Sequence, residues 1–586
     1  MDLFIKTCSF IIFSIIILLL TKFIELSNLI NGFIDWSLND INELKIYDYI
    51  IVGAGSAGSI LSSKLSNGGF KVLLIEAGGP PPAFADIPAL LPIFQKSSYD
   101  WKYKTVSQNH SCKALINNQS SWPRGKILGG SSRLNNMVYM EGHPQDYHGW
   151  FPDYKNHLID DKYIEKNLIH CTELCHAVYN ALSDMKINEI NNTNLDYFEK
   201  VKFTMINGSR WSTDKLLNDK YNMKLDIMMH SHVEKIIFNL KTNKPKADGV
   251  LVMKWGKKLK IMSKYGVILS AGTIGTPKLL MLSGIGPADD LEKLNINVIK
   301  NLPVGKNLID HILTGLDLIT ITSNLSFGIT ELLKPLSAIK YFIFGKGPWT
   351  SSGMEISAML KINSSASFDQ RPDIQLMVLP SGISQDNGIY FKKIIGLSDK
   401  VFDKYYSELT HKTAVTIAPV LLHPKSSGFV KLKSSNPLDD PIIDPNYLSH
   451  KDDVTTLISG IKFIEKLVET KSMKLIGAKM NKKKFPGCER FIYGDDNYWE
   501  CYIRHMTLTS YHPVGTCGIG SVVDDNFRVY GTDNLYVIDA SVLPILPSGN
   551  INAAVMMLAN KASSILLGYT KSKCHINDFI NYIFFI

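Results

Sequence analysis

The sequence lacks the marks of several protein classes. Its eight cysteines, at positions 8, 112, 171, 175, 488, 501, 517 and 574, form no CxxC pair, so zinc-ribbon or thioredoxin-like chemistry has little support and no metal site is expected. No segment recurs with a period of about 20 to 50 residues, so a repeat architecture is not proposed. Charge is not strongly biased: 63 basic against 54 acidic residues leave a net +9. The densest basic stretches, Lys257–Lys260 and Lys482–Lys484, carry no interleaved aromatics. They read as solvated faces, and no nucleic-acid partner is expected. Glycine and proline are spread along the chain, and 45% apolar with 20% charged residues is a globular composition. At 586 residues the chain exceeds what one hydrophobic core fills, so two or more domains are expected.

A long apolar run is also missing. Phe10–Leu20 is apolar except for Ser14 and follows a stretch with one lysine, Lys6. It is shorter than the roughly 20 residues that cross a bilayer, and no small-x-small cleavage site follows it before Thr21-Lys22-Phe23. Three readings stay open for residues 1–25: a cleaved signal peptide, an uncleaved membrane anchor over residues 9–25, and a buried helix. The terminal stretch Phe579–Ile586 is too short to span. Sequons at Asn109, Asn118, Asn191, Asn207, Asn324 and Asn363 fit secretion, although an asparagine-rich chain supplies such triplets by chance. In an oxidising compartment Cys488 and Cys501, which flank Glu489–Glu500, form the best candidate disulfide.

What is present begins at Tyr47. The aromatic and β-branched run Tyr47–Val52 ends in Gly53-Ala54-Gly55-Ser56-Ala57-Gly58, and an apolar helical pattern follows through Leu61 and Leu65. This is strand, glycine turn, helix. A second buried-strand run, Lys71–Ile75, closes at Glu76 and completes a βαβ unit. In such a turn Gly53 makes the tight bend, Gly55 lets a pyrophosphate approach the backbone and Gly58 lets helix and strand pack closely. The anion rests on the helix N-terminus, and Glu76 is placed to accept from an adenosine ribose. The turn indicates a dinucleotide without choosing between FAD and NAD. Gly266–Leu269, before Ser270-Ala271-Gly272, and Leu535–Ile538, before Asp539, read as further parallel strands of the same sheet. From Thr320 to Arg504, short alternating strands such as Ala414–Pro419 mix with a helical run, Asp453–Glu469, which suggests an inserted second domain.

The run Trp122-Pro123-Arg124-Gly125-Lys126-Ile127-Leu128-Gly129-Gly130-Ser131-Ser132-Arg133-Leu134-Asn135, continuing through Tyr139, Gly142 and His148, resembles the first signature of the glucose-methanol-choline (GMC) oxidoreductases. Gly272–Gly286 resembles the second, and Asn207–Arg210, the surroundings of Val233, Val304–Leu308 with Asp310-His311, and Pro424–Gly428 extend the similarity over about Asp48 to Leu566. The resemblance implies FAD as cofactor and an α/β fold. A Rossmann-like FAD-binding domain would be assembled from residues 45–150, 206–315 and 506–572. An inserted α+β substrate domain on a mixed sheet would come from 151–205 and 316–505. It places cofactor contacts at Gly53, Ala54, Gly55, Ser56, Ala57, Gly58, Glu76, Arg124, Leu128, Gly129, Gly130, Ser131, Asn135, Val138, Val233, Asp539 and Ala540.

By the same resemblance, Tyr511–Thr516 and Ser548–Asn550 carry the chemistry. Hydride leaves an alcohol carbon with difficulty while the oxygen keeps its proton, so neutral His512 is the expected base and Asn550 the expected donor to the developing alkoxide. His311, His143 and His505 have no comparable case and are read as structural. The implied reaction takes a small-molecule alcohol to an aldehyde, ketone or lactone, with electrons passing to a quinone-type acceptor or oxygen. Two departures stand out. Residues Trp150–Val201 are fewer and more polar than in the family pattern, and Gly518-Ile519-Gly520 stands where Lys-Met-Gly is common. The surroundings of Cys488, Trp499, Cys501 and His512 are most similar to the secreted arthropod branch, which includes quinone-linked glucose dehydrogenases. Two other readings remain: an NAD-linked dehydrogenase, which would leave the later segments without a purpose, and a secreted binding or structural protein that kept the fold and lost turnover.

Overall fold

The computed structural model describes residues 2–38, 45–166, 170–189, 196–218, 223–362 and 369–583. Its first sheet grows from the buried run Tyr47–Val52, which is covered on both faces as a central parallel strand requires. That strand pairs in parallel with Val72–Ile75 on one side and with the end of Lys257–Leu269 on the other. Leu225–Met228 and Leu535–Val537 extend the parallel sheet at its two sides. The expected strands Gly266–Leu269 and Leu535–Ile538 therefore join it, and the first of them is the end of a much longer strand. Its other half folds back through Lys246–Lys254 and Ser231–Asn239 as an antiparallel meander. The helix Ser56–Asn67 packs against the C-terminal helix Asn552–Ile583 over this sheet.

A second sheet runs Lys479–Met480, Ile319–Ile321, Thr413–Leu421, Ile374–Leu379, Ile356–Leu360, Tyr197–Lys200, Asn188–Glu189. Its long central strands are buried almost throughout because the helix Lys451–Val468 packs on one of them, with Gly460 lying against Pro419. Architecture and mixed pairing match the expected α/β unit with an α+β insertion. One boundary differs. Ile312–Leu313 and Leu508–Thr509 pair with each other, and Ile312–Leu313 also pairs with Val420–Leu421. Both segments therefore belong to the second sheet although they fall in stretches expected to build the first domain.

The N-terminal segment, for which three readings stood open, is helical. A single helix, Asp2–Leu38, continues well past residue 25. Ile24 is fully buried in a cluster with Ala85, Ile93, Phe94 and Tyr99. Further along, Asp35 forms an ion pair with buried Lys254 and accepts from the Trp255 indole. Among the described residues no helix is long and apolar enough to cross a membrane, so the anchor reading has no support.

The expected disulfide Cys488–Cys501 is present, and Cys171–Cys175 forms a second. The sequons at Asn109, Asn207 and Asn324 are exposed, whereas Asn191 and Asn363 lie outside the described residues.

Candidate active site

A cavity of about 930 Å³ lies between the two sheets and extends from the glycine turn to His512 and Asn550. At the turn, sequence and space agree. Gly53 has φ +99°, and a Cβ there would stand 2.4 Å from the Ser270 carbonyl. A Cβ on Gly58 would stand 1.9 Å from the Gly53 carbonyl. Neither position tolerates a side chain. Gly55 caps the helix Ser56–Asn67 without any side-chain partner, and a Cβ there would meet nothing within 4 Å. The helix N-terminus, with its free N–H groups and positive dipole end, is thus left uncovered toward the cavity, as an anion requires. Gly130, at φ +55°, lies against Gly55, so the first signature run stacks directly on the turn.

Of the expected cofactor residues, Gly53, Gly55, Ser56, Ala57, Glu76, Arg124, Gly130, Ser131, Asn135, Val138, Val233, Asp539 and Ala540 line the cavity. Four do not. Ala54 gives its N–H to Glu76, Gly58 packs behind Gly53, Leu128 joins the core, and Gly129 donates to the Ala54 carbonyl. These four shape the turn from behind.

Glu76 is buried with one oxygen accepting from Ala54 N–H and the other from Gly78 N–H, both at 2.9 Å. Burial pushes its carboxyl up to about 7 against the effect of those bonds. The Ala77 N–H also bonds the carboxylate, which still keeps a lone pair for a ribose hydroxyl. Asp539 is more fully engaged: its carboxylate accepts from Gly272 N–H, Thr276 hydroxyl and Ser541 N–H. It ties the second signature to the strand end, which leaves its main chain to face the cavity. The donors, the glycine cradle and the buried acid fit a dinucleotide.

At the other end, Tyr511 takes φ +65°, an uncommon conformation for a non-glycine residue. The half-buried Arg124 donates from its guanidinium to the Tyr511 carbonyl at 2.8 Å. The adjoining His512 N–H donates to Asp310 at 2.8 Å, and the same carboxylate accepts from Tyr447 and Thr509 hydroxyls. This buried acid fixes the backbone that aims the His512 ring. Asn550 comes from the opposite side. Its loop is anchored where Asp146 accepts from both the N–H and the hydroxyl of Ser548, with His423 3.1 Å from that hydroxyl.

The two side chains meet: Asn550 Nδ2 stands 3.1 Å from His512 Nε2. On its other face His512 Nδ1 lies 3.0 Å from His311 Nδ1. Burial, with His311 and Arg124 nearby, holds His512 well below the ordinary histidine range, so the ring is neutral. Burial pushes His311 down to about 3, so it too is neutral. The amide N–H of Asn550 meets a lone pair on Nε2, which puts the His512 proton on Nδ1, donated to His311. His311, read as structural from sequence, is therefore a direct partner of the candidate base. His143 and His505 are structural: His143 caps the turn Pro144–Asp146, and His505 bonds the Cys501 carbonyl beside the disulfide. Asp310, Asp146 and His423 were also missed as site residues. The Asp310-His311 pair stands in a segment that resembles the family pattern, but nothing local in the sequence links it to residue 512.

Comparison with known proteins identifies the family. Two family models described as GMC oxidoreductase match residues 47–313 and 424–559. Glucose dehydrogenase [FAD, quinone] of Drosophila melanogaster is 33% identical over 563 residues, covering 89% of this chain and 86% of that one. Ecdysone oxidase of Bombyx mori is 34% identical over 559 residues, covering 89% and 81%. A solved formate oxidase superposes with TM-score 0.76 at 24% identity over 91% of this chain and 100% of its own, which shows the shared fold. With relatives of this identity spanning most of its length, the chain belongs to the GMC oxidoreductase family and is an FAD-dependent enzyme.

Proposed function

We propose that the chain oxidises the CH–OH group of an alcohol, with His512 as the base and Asn550 as the group that holds the reacting oxygen. The observation that carries this reading is the 3.1 Å approach of Asn550 Nδ2 to His512 Nε2 inside a cavity shared with the glycine turn. A substrate hydroxyl reaching this point displaces the Asn550 N–H from the single Nε2 lone pair, donates to that lone pair itself and accepts from the freed amide N–H. As the O–H proton moves to Nε2, the amide stabilises the alkoxide without titrating. FAD, when bound, supplies the acceptor for the hydride leaving the carbon and passes both electrons to a quinone-type compound or oxygen. The glycine turn, Glu76, Gly130, Ser131, Asn135, Val233 and the Asp539–Ala540 main chain would hold it. His311 keeps the proton of resting His512 on the far nitrogen, and Gln375, whose amide lies 3.5 Å from Asn550 Oδ1, turns the Asn550 N–H groups toward the base.

Relatives named for glucose and for ecdysone leave the alcohol open. Two disulfides and exposed sequons support folding in the secretory pathway. The test is anaerobic flavin bleaching by alcohols, with His512→Ala alongside. The variant is expected to retain stoichiometric FAD and to lose alcohol-driven reduction by about 10²- to 10⁴-fold. Retained turnover would remove His512 from the mechanism, and no bleaching of FAD-loaded wild type by any alcohol would favour a protein that kept the fold and lost catalysis.

A further inference from the structure

Resting on the alcohol-oxidising reading of His512 and Asn550, we propose that the substrate is an alcohol on an extended apolar skeleton, long-chain, aryl or polycyclic, and not a sugar. The second sheet turns Leu313, Met377, Leu379, Ala418 and Leu508 into the cavity that holds the two catalytic side chains. These residues form one patch, since Met377 lies opposite Ala418 and Leu313 opposite Leu508. The polar residue that shares the face of Met377, Gln375, already engages Ser357 and Asn550. Farther along, the walls are Leu332, Leu333 and Trp349 on one side and Leu90, Phe391 and Ile394 on the other.

Most of the charge lies on one side. Glu76, Arg124, Lys278 and Asp539 line the cavity from the strand ends beside the glycine turn and from the two signature segments. Among the apolar walls stands Asp386, whose carboxylate accepts from Gly388, Tyr390 and Phe391 N–H groups. The Tyr390 hydroxyl donates to Pro92 and Gln95 carbonyls, and the Gln385 amide to the Lys412 carbonyl. Gln95 Oε1 and Ser352 Oγ, and Arg124 Nε on the charged side, are lining-residue atoms without a partner among the described residues, and all three are sealed from solvent. Walls engaged in this way offer few partners to a ring of hydroxyls. Each sugar hydroxyl stranded on such walls would weaken binding by a factor of roughly five to 150. Each buried methylene would strengthen it by up to about fourfold.

The test uses the full FAD-loaded protein with a series of primary alcohols from ethanol to dodecanol, together with benzyl alcohol, a sterol and glucose. The rate of anaerobic flavin reduction per concentration of alcohol is expected to climb about two- to fourfold per methylene over several carbons. Glucose should fall at least about 100-fold below the best alcohol. A level series, or glucose ahead of the apolar alcohols, overturns the proposal. Equilibrium affinities of the same compounds for His512→Ala, read from perturbation of flavin absorbance, measure the channel apart from turnover. If wild-type flavin is reduced by none of the compounds yet affinity still rises with chain length, the base-catalysed reading falls and the apolar channel stands. Affinities independent of chain length overturn the channel. Leu333→Asp, at a half-buried wall position, should lower dodecanol affinity at least tenfold, and unchanged affinity counts against the proposal.

Discussion

Replacing His311 by leucine tests whether the second histidine controls the first. In the native arrangement the His512 Nδ1–H donates to His311 Nδ1 at 3.0 Å, and Asn550 meets Nε2 at 3.1 Å. Leucine fills the space but accepts no hydrogen bond. A buried N–H left unpaired costs about 1–3 kcal/mol. The ring can avoid that cost by moving its proton to Nε2, the atom that has to receive the substrate proton. If the tautomer preference falls by that amount, the ratio of base-competent to incompetent ring drops by roughly five- to 150-fold, and once the incompetent tautomer dominates the rate constant for flavin reduction drops by up to that factor. The assay is anaerobic stopped-flow flavin reduction as a function of pH. A merely structural role for His311 would lower protein stability or FAD content without moving the pH profile. A positioning role makes a second demand: neutral His311 accepts from the Nδ1–H, a bond the charged ring makes more strongly than the neutral one, so its loss should shift the acid limb toward lower pH. His311→Gln retains an acceptor and should recover part of the rate. Full activity in His311→Leu with an unmoved acid limb would refute the reasoning.

Wild-type flavin reduction should itself be level from pH 9 down to the usual histidine value of about 6.5 and fall only below it, since His512 loses its lone pair only under its depressed pKa. A midpoint at or above 7 in the pH–rate profile would contradict the burial argument. Gly58→Ala puts a Cβ 1.9 Å from the Gly53 carbonyl; the turn has to shift, and the FAD-to-protein ratio and melting temperature should both fall, whereas a stoichiometric, equally stable variant would mean that the packing is looser than described. Replacing Cys488 and Cys501 by serine opens a crosslink of sequence separation 13 and should destabilise by about 3 kcal/mol on chain-entropy grounds, against about 2 kcal/mol for Cys171 and Cys175 at separation 4. Melting temperatures of the two double variants check the order.

The sequence made local features legible and hid those that depend on distant pairing. Gly53, Gly55 and Gly58 could be assigned separate roles because each role follows from spacing within one strand-turn-helix, and the coordinates show the close approaches at Gly53 and Gly58 that those roles require. Placing His512 and Asn550 together depended on family resemblance, because no periodicity relates a turn residue to another 38 positions away. His311 lies 201 positions from His512, and Asp146 lies 402 from Ser548; a single sequence carries no trace of such contacts. Ile312–Leu313 and Leu508–Thr509 are two-residue strands, too short for an alternating pattern to reveal which sheet they join. At the N-terminus an apolar run offered three readings, and only the packing of Ile24 and the Asp35 ion pair shows where the helix lies.

The short strands at the sheet boundary have a consequence for recombining this enzyme with its relatives. Ile309 bridges Val514, and three residues later Ile312 pairs with both Thr509 and Leu421. The peptide that carries His311 and the one that leads to His512 are thus stitched into the sheet that forms the wall for the alcohol. A graft limited to residues 316–505 would therefore join a foreign wall to native stitching and disturb the base from behind. Exchange from about residue 308 to beyond Val514 would transfer the second-sheet wall, its stitching and the base as one unit.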